Sequence, residues 1–161
     1  MKKLEKLTLK EMEHEMPVID KGLQKIINGG FFTNNDCIFE AFDYLASWLG
    51  CNDYGYSGWF DLYGQKFGIE AQVDALEHGV ESDDAIDLLD DYFSVNGVTD
   101  FNVLGSGENL GFLLTENGGH AVLIDSYDSS TNLVTYFDPD LNAYQVASPS
   151  EFHSAFSVDC F

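Results

Sequence analysis

Three side chains spread along the chain are of the types that covalent catalysis by a thiol requires: Cys37, His120 and Asp138. A thiol nucleophile needs a base that takes its proton and a third group that orients this base. Asp36 is a favourable N-cap residue, so Cys37 is predicted at the first position of a helix. The N-terminus of a helix favours the thiolate form of a cysteine. These residue types make Cys37 a candidate nucleophile, and the alternative is that it is a buried core residue, as cysteines on apolar helices often are.

The elements that must position these side chains fall into two halves. Residues 36–49 have the apolar spacing of a buried helix, Ser82 begins a second helix, and residues 59–67 suggest a short helix interrupted by Gly64. The second half predicts strands at 98–104, 111–115, 120–128, 133–140 and 144–146, followed by a short helix at 150–156. Helices followed by an antiparallel sheet make an α+β fold.

The predicted sheet explains how an aspartate could reach the histidine. The turn sequence at 129–132 predicts a hairpin of strands 120–128 and 133–140. In that hairpin residue 120 lies opposite residues 138–140, so we expect Asp138 beside His120. Pro139 then ends the strand and fixes the corner.

The charge of the chain excludes some partners. The net charge is −21, there is no Arg, and Lys66 is the only Lys after residue 30. Such a chain repels phosphate backbones, so no nucleic acid is expected as a partner. No apolar run is long enough for a transmembrane segment. The acidity would favour a basic peptide or protein substrate, although solubility explains it equally well.

A break in charge and pattern at residue 30 divides the chain into two predicted parts. Residues 1–30 carry six of the seven lysines and apolar residues at helical spacing, and they end at Gly29 and Gly30. We interpret 1–30 as a leader or propeptide and 31–161 as the folded domain. An ordinary N-terminal helix with a glycine C-cap is the alternative.

The remaining cysteines and histidines do not predict a metal site. Cys51 and Cys160 form no zinc-binding spacing with Cys37, and export would allow these two to pair, but the sequence leaves the pairing open. His14, His78 and His153 share no metal-ligand spacing. No metal and no cofactor are therefore expected.

The order of these motifs resembles the papain-like cysteine peptidases. A cysteine opens the helix DCIFEAF, the strand GGHAVLI carries a histidine, and VTYFDP carries an aspartate. The likeness is greatest to the bacterial C39-like branch, which is related to the double-glycine leader peptidases. It implies a papain-like fold with the cysteine-bearing helix packed on the sheet, with Cys37 as nucleophile, His120 as general base and Asp138 as the orienting residue.

One family feature has no direct counterpart. The position of the glutamine that donates to the oxyanion is Phe31 here, and the glycine after the cysteine is replaced by Ile38. Asn34 and Asn35 are the candidate substitutes for the missing donor. Loss of one such donor typically lowers kcat about 10²- to 10³-fold. Three interpretations follow. Asn34 or Asn35 replaces the missing donor, the enzyme has low activity, or the protein is a non-catalytic relative of the family.

The N-terminal part resembles the double-glycine leaders of exported bacterial peptides, of the type found in Bacteroidales. This resemblance implies synthesis in the bacterial cytoplasm, cleavage after Gly30 by the peptidase domain of an ABC exporter, and a secreted or periplasmic product. Three functions remain open. They are an exported cysteine peptidase or amidase, a non-catalytic bacteriocin-like or binding protein, and an intracellular toxin or effector that deamidates a protein.

Overall fold

The computed structural model describes residues 37–104, 108–115 and 118–161. The predicted leader with Gly29 and Gly30, and the candidate donors Asn34 and Asn35, lie outside these residues. The described part contains four α-helices, and none of them is long and apolar enough to cross a membrane. They are α1 (Cys37–Leu49), α2 (Gly55–Phe67), α3 (Ile69–His78) and α4 (Ser82–Asp90).

Six antiparallel strands form one sheet in the order β1-β6-β2-β3-β4-β5. The strands are β1 (Phe93–Val98), β2 (Asn109–Thr115), β3 (Gly118–Asp128), β4 (Leu133–Asp138), β5 (Ala143–Ala147) and β6 (Phe152–Cys160). Strands β2 to β5 follow one another as a meander, and β6 returns to pair with both β1 and β2. The α+β class is confirmed, while the papain-like topology remains a prediction.

Two of the elements predicted in the second half of the chain are wrong. The strand expected at 98–104 is the end of β1 followed by a 3₁₀ turn at Phe101–Val103. The helix expected at 150–156 is a 3₁₀ turn at Pro149–Glu151 followed by β6. Because β6 pairs along both of its edges, the sheet overrides the local preference of this segment. Gly64 also fails to interrupt α2, which runs through it.

Aromatic side chains anchor helix α1 in the core. Phe39 and Phe42 are completely buried, and their rings contact Phe60 and Trp59 of α2 at centroid distances of 5.3 and 5.4 Å. Further along the helix, the ring of Tyr44 lies 4.9 Å from that of Phe137 on β4. These contacts fix the helix against the sheet, and they thereby fix the position of its first residue, Cys37.

A disulfide between Cys51 and Cys160 joins the segment after α1 to the end of β6. The sequence left this pairing open, and the structure supplies it. The bond closes a loop with a sequence separation of 109 residues. Cys37 is therefore the cysteine that keeps its thiol.

Candidate active site

The thiol of Cys37 lies against the backbone of β3. Cys37 is the first residue of α1 and is 7% exposed. The backbone N–H of Ala121 donates a hydrogen bond to its sulfur at 3.4 Å. Ala121 directly follows His120, so this bond brings the sulfur to the strand segment that carries the histidine.

His120 and Asp138 face each other where strands β3 and β4 separate. The last ladder pair on this side is Leu123 with Phe137, and both side chains lie just beyond it. Nε2 of His120 is 3.0 Å from Oδ1 of Asp138, and the two side chains are 16% and 9% exposed. The structure thus brings these two residues together, as the hairpin predicts.

The contacts of the histidine ring indicate which nitrogen can act as a base. A carboxylate accepts but does not donate, so the Nε2 that faces Asp138 carries the hydrogen. In the neutral ring Nδ1 then keeps its lone pair. The nearest carboxylate oxygen to Nδ1 is Oδ2 of Asp140, at 3.9 Å. This distance is too long for a hydrogen bond, so Asp140 acts on the ring through its charge.

The turn after β4 holds Asp138 in place. The backbone N–H of Leu141 donates to Oδ1 of Asp138 at 3.3 Å, and the N–H of Asn142 donates to the carbonyl oxygen of Pro139 at 3.1 Å. Asn142 has φ 48°, in the left-handed region that asparagine tolerates better than most residues. The carboxylate that orients His120 is therefore itself fixed by a tight turn.

Asp140 lies in an unfavourable environment for a charge. Burial raises the pKa of its carboxyl, the negative charge of Asp138 raises it further, and the nearby His120 partly opposes both effects. Its side chain is 27% exposed, so water still reaches it. The site therefore holds a second carboxylate that the fold itself stabilises poorly.

One cavity of about 610 Å³ contains all these groups. Cys37, His120, Asp138 and Asp140 line it on the side of α1 and the sheet. The connection from α3 to α4 also lines the cavity, and it turns at Gly79 with φ 87°. A side chain at that position would be strained, so glycine lets the chain turn there into the cavity wall.

His120, Asp138 and Asp140 are also the described residues whose ligand atoms could gather around a metal ion. Their atoms lie within 4.8 Å of one another. However, Asp138 lies at Nε2 and Asp140 near Nδ1, on different sides of the ring. An ion bound at Nε2 would displace the hydrogen bond to Asp138. An ion bound at Nδ1 would leave Asp138 at its hydrogen bond and not use it as a ligand. The hydrogen bond between His120 and Asp138 accounts for the positions of these two side chains without an ion.

The structure also adds residues that sequence reasoning did not assign to the site. Asp140 is the second acid of the sequence DPD. Its position two residues after Asp138 is a signal that could have placed it at the site. Glu81 lines the cavity from the start of α4, far away in sequence. The N–H of Ala121 has no sequence signal, because nearly every residue has one.

The other two histidines of the described chain, His78 and His153, both line the cavity. His78 on α3 lies 2.8 Å from the carboxylate of Asp74, and both side chains are exposed. His153 on β6 is exposed. Neither is placed beside Asp138 as His120 is.

Cys37, His120 and Asp138 thus line a single cavity although they come from three different elements. Their catalytic roles and the papain-like family remain predictions. No protein-family model, no curated protein and no solved structure matches this chain.

Proposed function

We propose that the protein is a cysteine peptidase or amidase that works through an acyl-enzyme on Cys37. The observation that supports this most is the pair formed by His120 and Asp138 in the cavity that also contains the Cys37 thiol. A buried thiol alone is common in protein cores. A thiol that shares a cavity with a histidine anchored by a buried carboxylate has the components of a nucleophilic site.

The proposed reaction begins with transfer of the thiol proton from Cys37 to Nδ1 of His120. The thiolate attacks the carbonyl carbon of a peptide or amide, and His120 then gives its proton to the leaving amine. Water, deprotonated by His120, hydrolyses the resulting thioester and restores the thiol. Asp138 keeps the Nε2 hydrogen in place throughout and stabilises the imidazolium that forms.

The oxyanion of the tetrahedral intermediate requires donors near the thiol. The backbone N–H of Cys37, at the start of α1, is the first proposed donor. Asn34 or Asn35 is proposed as the second. This assignment takes the place of the family glutamine, whose position is Phe31.

Export after cleavage of a leader at Gly29 and Gly30 is part of the same proposal. The disulfide between Cys51 and Cys160 supports it, since such bonds form and persist mainly in oxidising compartments. The proposed partner in processing is the peptidase domain of an ABC exporter. Intact-mass measurement of secreted material tests this, and a mature N-terminus elsewhere than Phe31 contradicts the cleavage site.

The central experiment measures alkylation of Cys37 by iodoacetamide in the disulfide-intact protein. Because general-base catalysis typically contributes about 10²- to 10⁴-fold, His120→Ala should slow alkylation by about 100-fold near neutral pH. His153→Ala is the matched control, since it removes another histidine of the same cavity, and it should leave the rate within about twofold of wild type.

The result also separates the second candidate, a non-catalytic binding protein, which the phenylalanine at position 31 favours. Equal alkylation rates in wild type and His120→Ala would mean that His120 does not activate the thiol. In that case the enzyme proposal fails and the binding protein remains. A His120-dependent thiol that never turns over a peptide would locate the defect in the oxyanion donors instead.

A further inference from the structure

We propose that the cavity recognises a basic side chain of the substrate, Lys or Arg, through the carboxylates of Asp140 and Glu81. This inference rests on the proposed function and names the class of peptide that the site would cleave. It makes Asp140 and Glu81 specificity-determining residues and leaves the catalytic steps to Cys37, His120 and Asp138.

The charges that line the cavity are unbalanced. The described lining residues include three carboxylates, those of Glu81, Asp138 and Asp140, and no Lys. Lys66 is the single Lys of the described chain, and its Nζ is held 2.7 Å from a carboxylate oxygen of Asp91, outside the cavity. No Lys or Arg of the described chain therefore supplies a positive charge to the cavity.

Asp140 is the carboxylate that a cation would stabilise most. Asp138 has a hydrogen-bond partner in His120 at 3.0 Å, whereas Asp140 approaches the same ring only to 3.9 Å. Asp140 is only partly covered, with 27% of its side chain exposed, but a carboxylate this close to a second carboxylate is still destabilised unless a cation compensates it. A substrate ammonium or guanidinium placed beside Asp140 would supply that compensation next to the reactive thiol.

Glu81 supplies a further negative charge to the same cavity from the α3–α4 connection. It occupies the N-cap position of α4, but its side chain makes no capping hydrogen bond to the helix. The residue is exposed and lines the cavity. The two acids thus come from different elements, the α3–α4 connection and the turn after β4, and both border the cavity that contains Cys37.

The apolar part of the cavity suits the stem of a long basic side chain. Leu114 and Leu141 line it and are each 63% exposed, so they offer apolar surface beside the charged groups. Lys and Arg bury their methylene stems on apolar surface while the charged group remains at a polar site. A short acidic or polar side chain would use neither feature.

The general acidity of the chain is a competing explanation for any preference for cations. With a net charge of −21, the whole protein attracts cations. At about 0.15 M salt, however, exposed charges act over only about 8 Å. A local preference should therefore persist at this salt and depend on Asp140 and Glu81, whereas a general one should be weak and respond equally to any acid removed.

The test uses pairs of tripeptide vinyl sulfones that alkylate Cys37 and differ only in Lys or norleucine at one position. The position is scanned over the three residues, and rates are measured at 0.15 M salt. The quantity compared is the ratio of the Lys rate to the norleucine rate, because changes in thiol reactivity cancel in it. We expect a ratio of about ten or more at one position, equivalent to about 1.4 kcal/mol.

Two variants and a matched control assign the preference. Asp140→Asn should reduce the ratio about tenfold, since hydrogen bonds to charged groups are the stronger ones, and Glu81→Gln about two- to fivefold, since its carboxylate is exposed. Asp83→Asn removes an equal charge from the same helix start, but Asp83 does not line the cavity. It should leave the ratio unchanged.

The outcomes separate the inference from the proposed function. Ratios near one at all three positions, or equal reductions in Glu81→Gln and Asp83→Asn, overturn the recognition of a basic side chain. Both results leave the catalytic proposal intact if alkylation by iodoacetamide still depends on His120. If alkylation is independent of His120, the proposed function fails, whichever probe is faster.

Discussion

Helix α1 begins at Cys37, and Cys51 follows shortly after its last residue, so its two ends invite comparison. At the first end the cysteine keeps its thiol, lines a cavity, and accepts a hydrogen bond from the N–H of Ala121. At the second end Cys51 is bonded to Cys160, and neither residue lines that cavity. The helix thus carries a thiol at its first residue, while the segment after its last residue is crosslinked by a disulfide.

The length of α1 keeps these two functions apart. The helix has 13 residues, which correspond to about 20 Å between its ends. A thiolate can attack a disulfide and exchange with it when the two groups meet. Separation by a rigid helix, anchored in the core by Phe39 and Phe42, prevents that reaction within one molecule. Substitutions at either end therefore test how independent the two ends are.

Removal of the crosslink should have the largest effect. The double variant Cys51→Ala and Cys160→Ala opens a loop with a sequence separation of 109 residues. Because loops of this length lose much of their unfolded-state entropy on crosslinking, the free energy of unfolding should fall by about 4 to 5 kcal/mol. Urea unfolding followed by circular dichroism measures this change.

The same double variant also tests the independence of the thiol end. At 25 °C without denaturant, its folded form should alkylate at Cys37 within about twofold of the wild-type rate. A large change in this rate, with the protein still folded, would show that the disulfide also shapes the cavity.

Changes at Asp138 should have the next largest effect, and only at the thiol end. Asp138→Asn keeps an acceptor for Nε2 of His120 but removes the charge. A charged hydrogen bond exceeds a neutral one by about 1 to 1.5 kcal/mol, so alkylation of Cys37 should slow by about tenfold. Asp138→Ala removes the acceptor as well and should slow it further. An alkylation rate in Asp138→Ala equal to that of wild type would contradict the orienting role.

The smallest effect is expected from Asp140→Asn on stability. The folded protein raises the pKa of this carboxyl above its usual value, chiefly by burial, so the folded state binds the proton more tightly than the unfolded chain does. The stability associated with Asp140 is therefore fully present below the unfolded pKa and is lost as the pH rises through the folded pKa.

Asp140→Asn removes this dependence. The variant should be more stable than wild type by less than about 1 kcal/mol at neutral pH, and the difference should shrink as the pH falls towards the unfolded pKa. Urea unfolding of both proteins from pH 3 to 7 measures it. A difference that grows at low pH would contradict the sign. Stabilisation at neutral pH would indicate that a residue proposed to bind substrate reduces the stability of the fold.

The sequence allowed a correct prediction of the two local elements that matter most for the site, helix α1 and the hairpin of β3 and β4. The apolar spacing of 36–49 corresponds to α1, and the turn at 129–132 joins β3 to β4, so His120 and Asp138 come together as predicted. Each of these inferences needs only the period of a helix or the register of a hairpin.

The remaining features depend on contacts between distant segments, which no local pattern encodes. β6 is a strand because β1 and β2 pair with its two edges, although its sequence suggested a helix. The pairing of Cys51 with Cys160, the approach of the Ala121 N–H to Cys37, and the location of Glu81 in the cavity wall likewise follow from the tertiary fold. Sequence reasoning could therefore identify the catalytic candidates, but it could not identify the residues proposed to select a substrate.

The loop closed by Cys51 and Cys160 also has a mechanical consequence. Force applied at Cys37 and Phe161 passes directly through the disulfide and bypasses every element from α2 to β6. A pulling experiment between these two residues of the oxidised protein would therefore extend α1 but not these elements. The separation of 109 residues corresponds to about 370 Å of hidden contour length. A reductant should release that length in a single additional step.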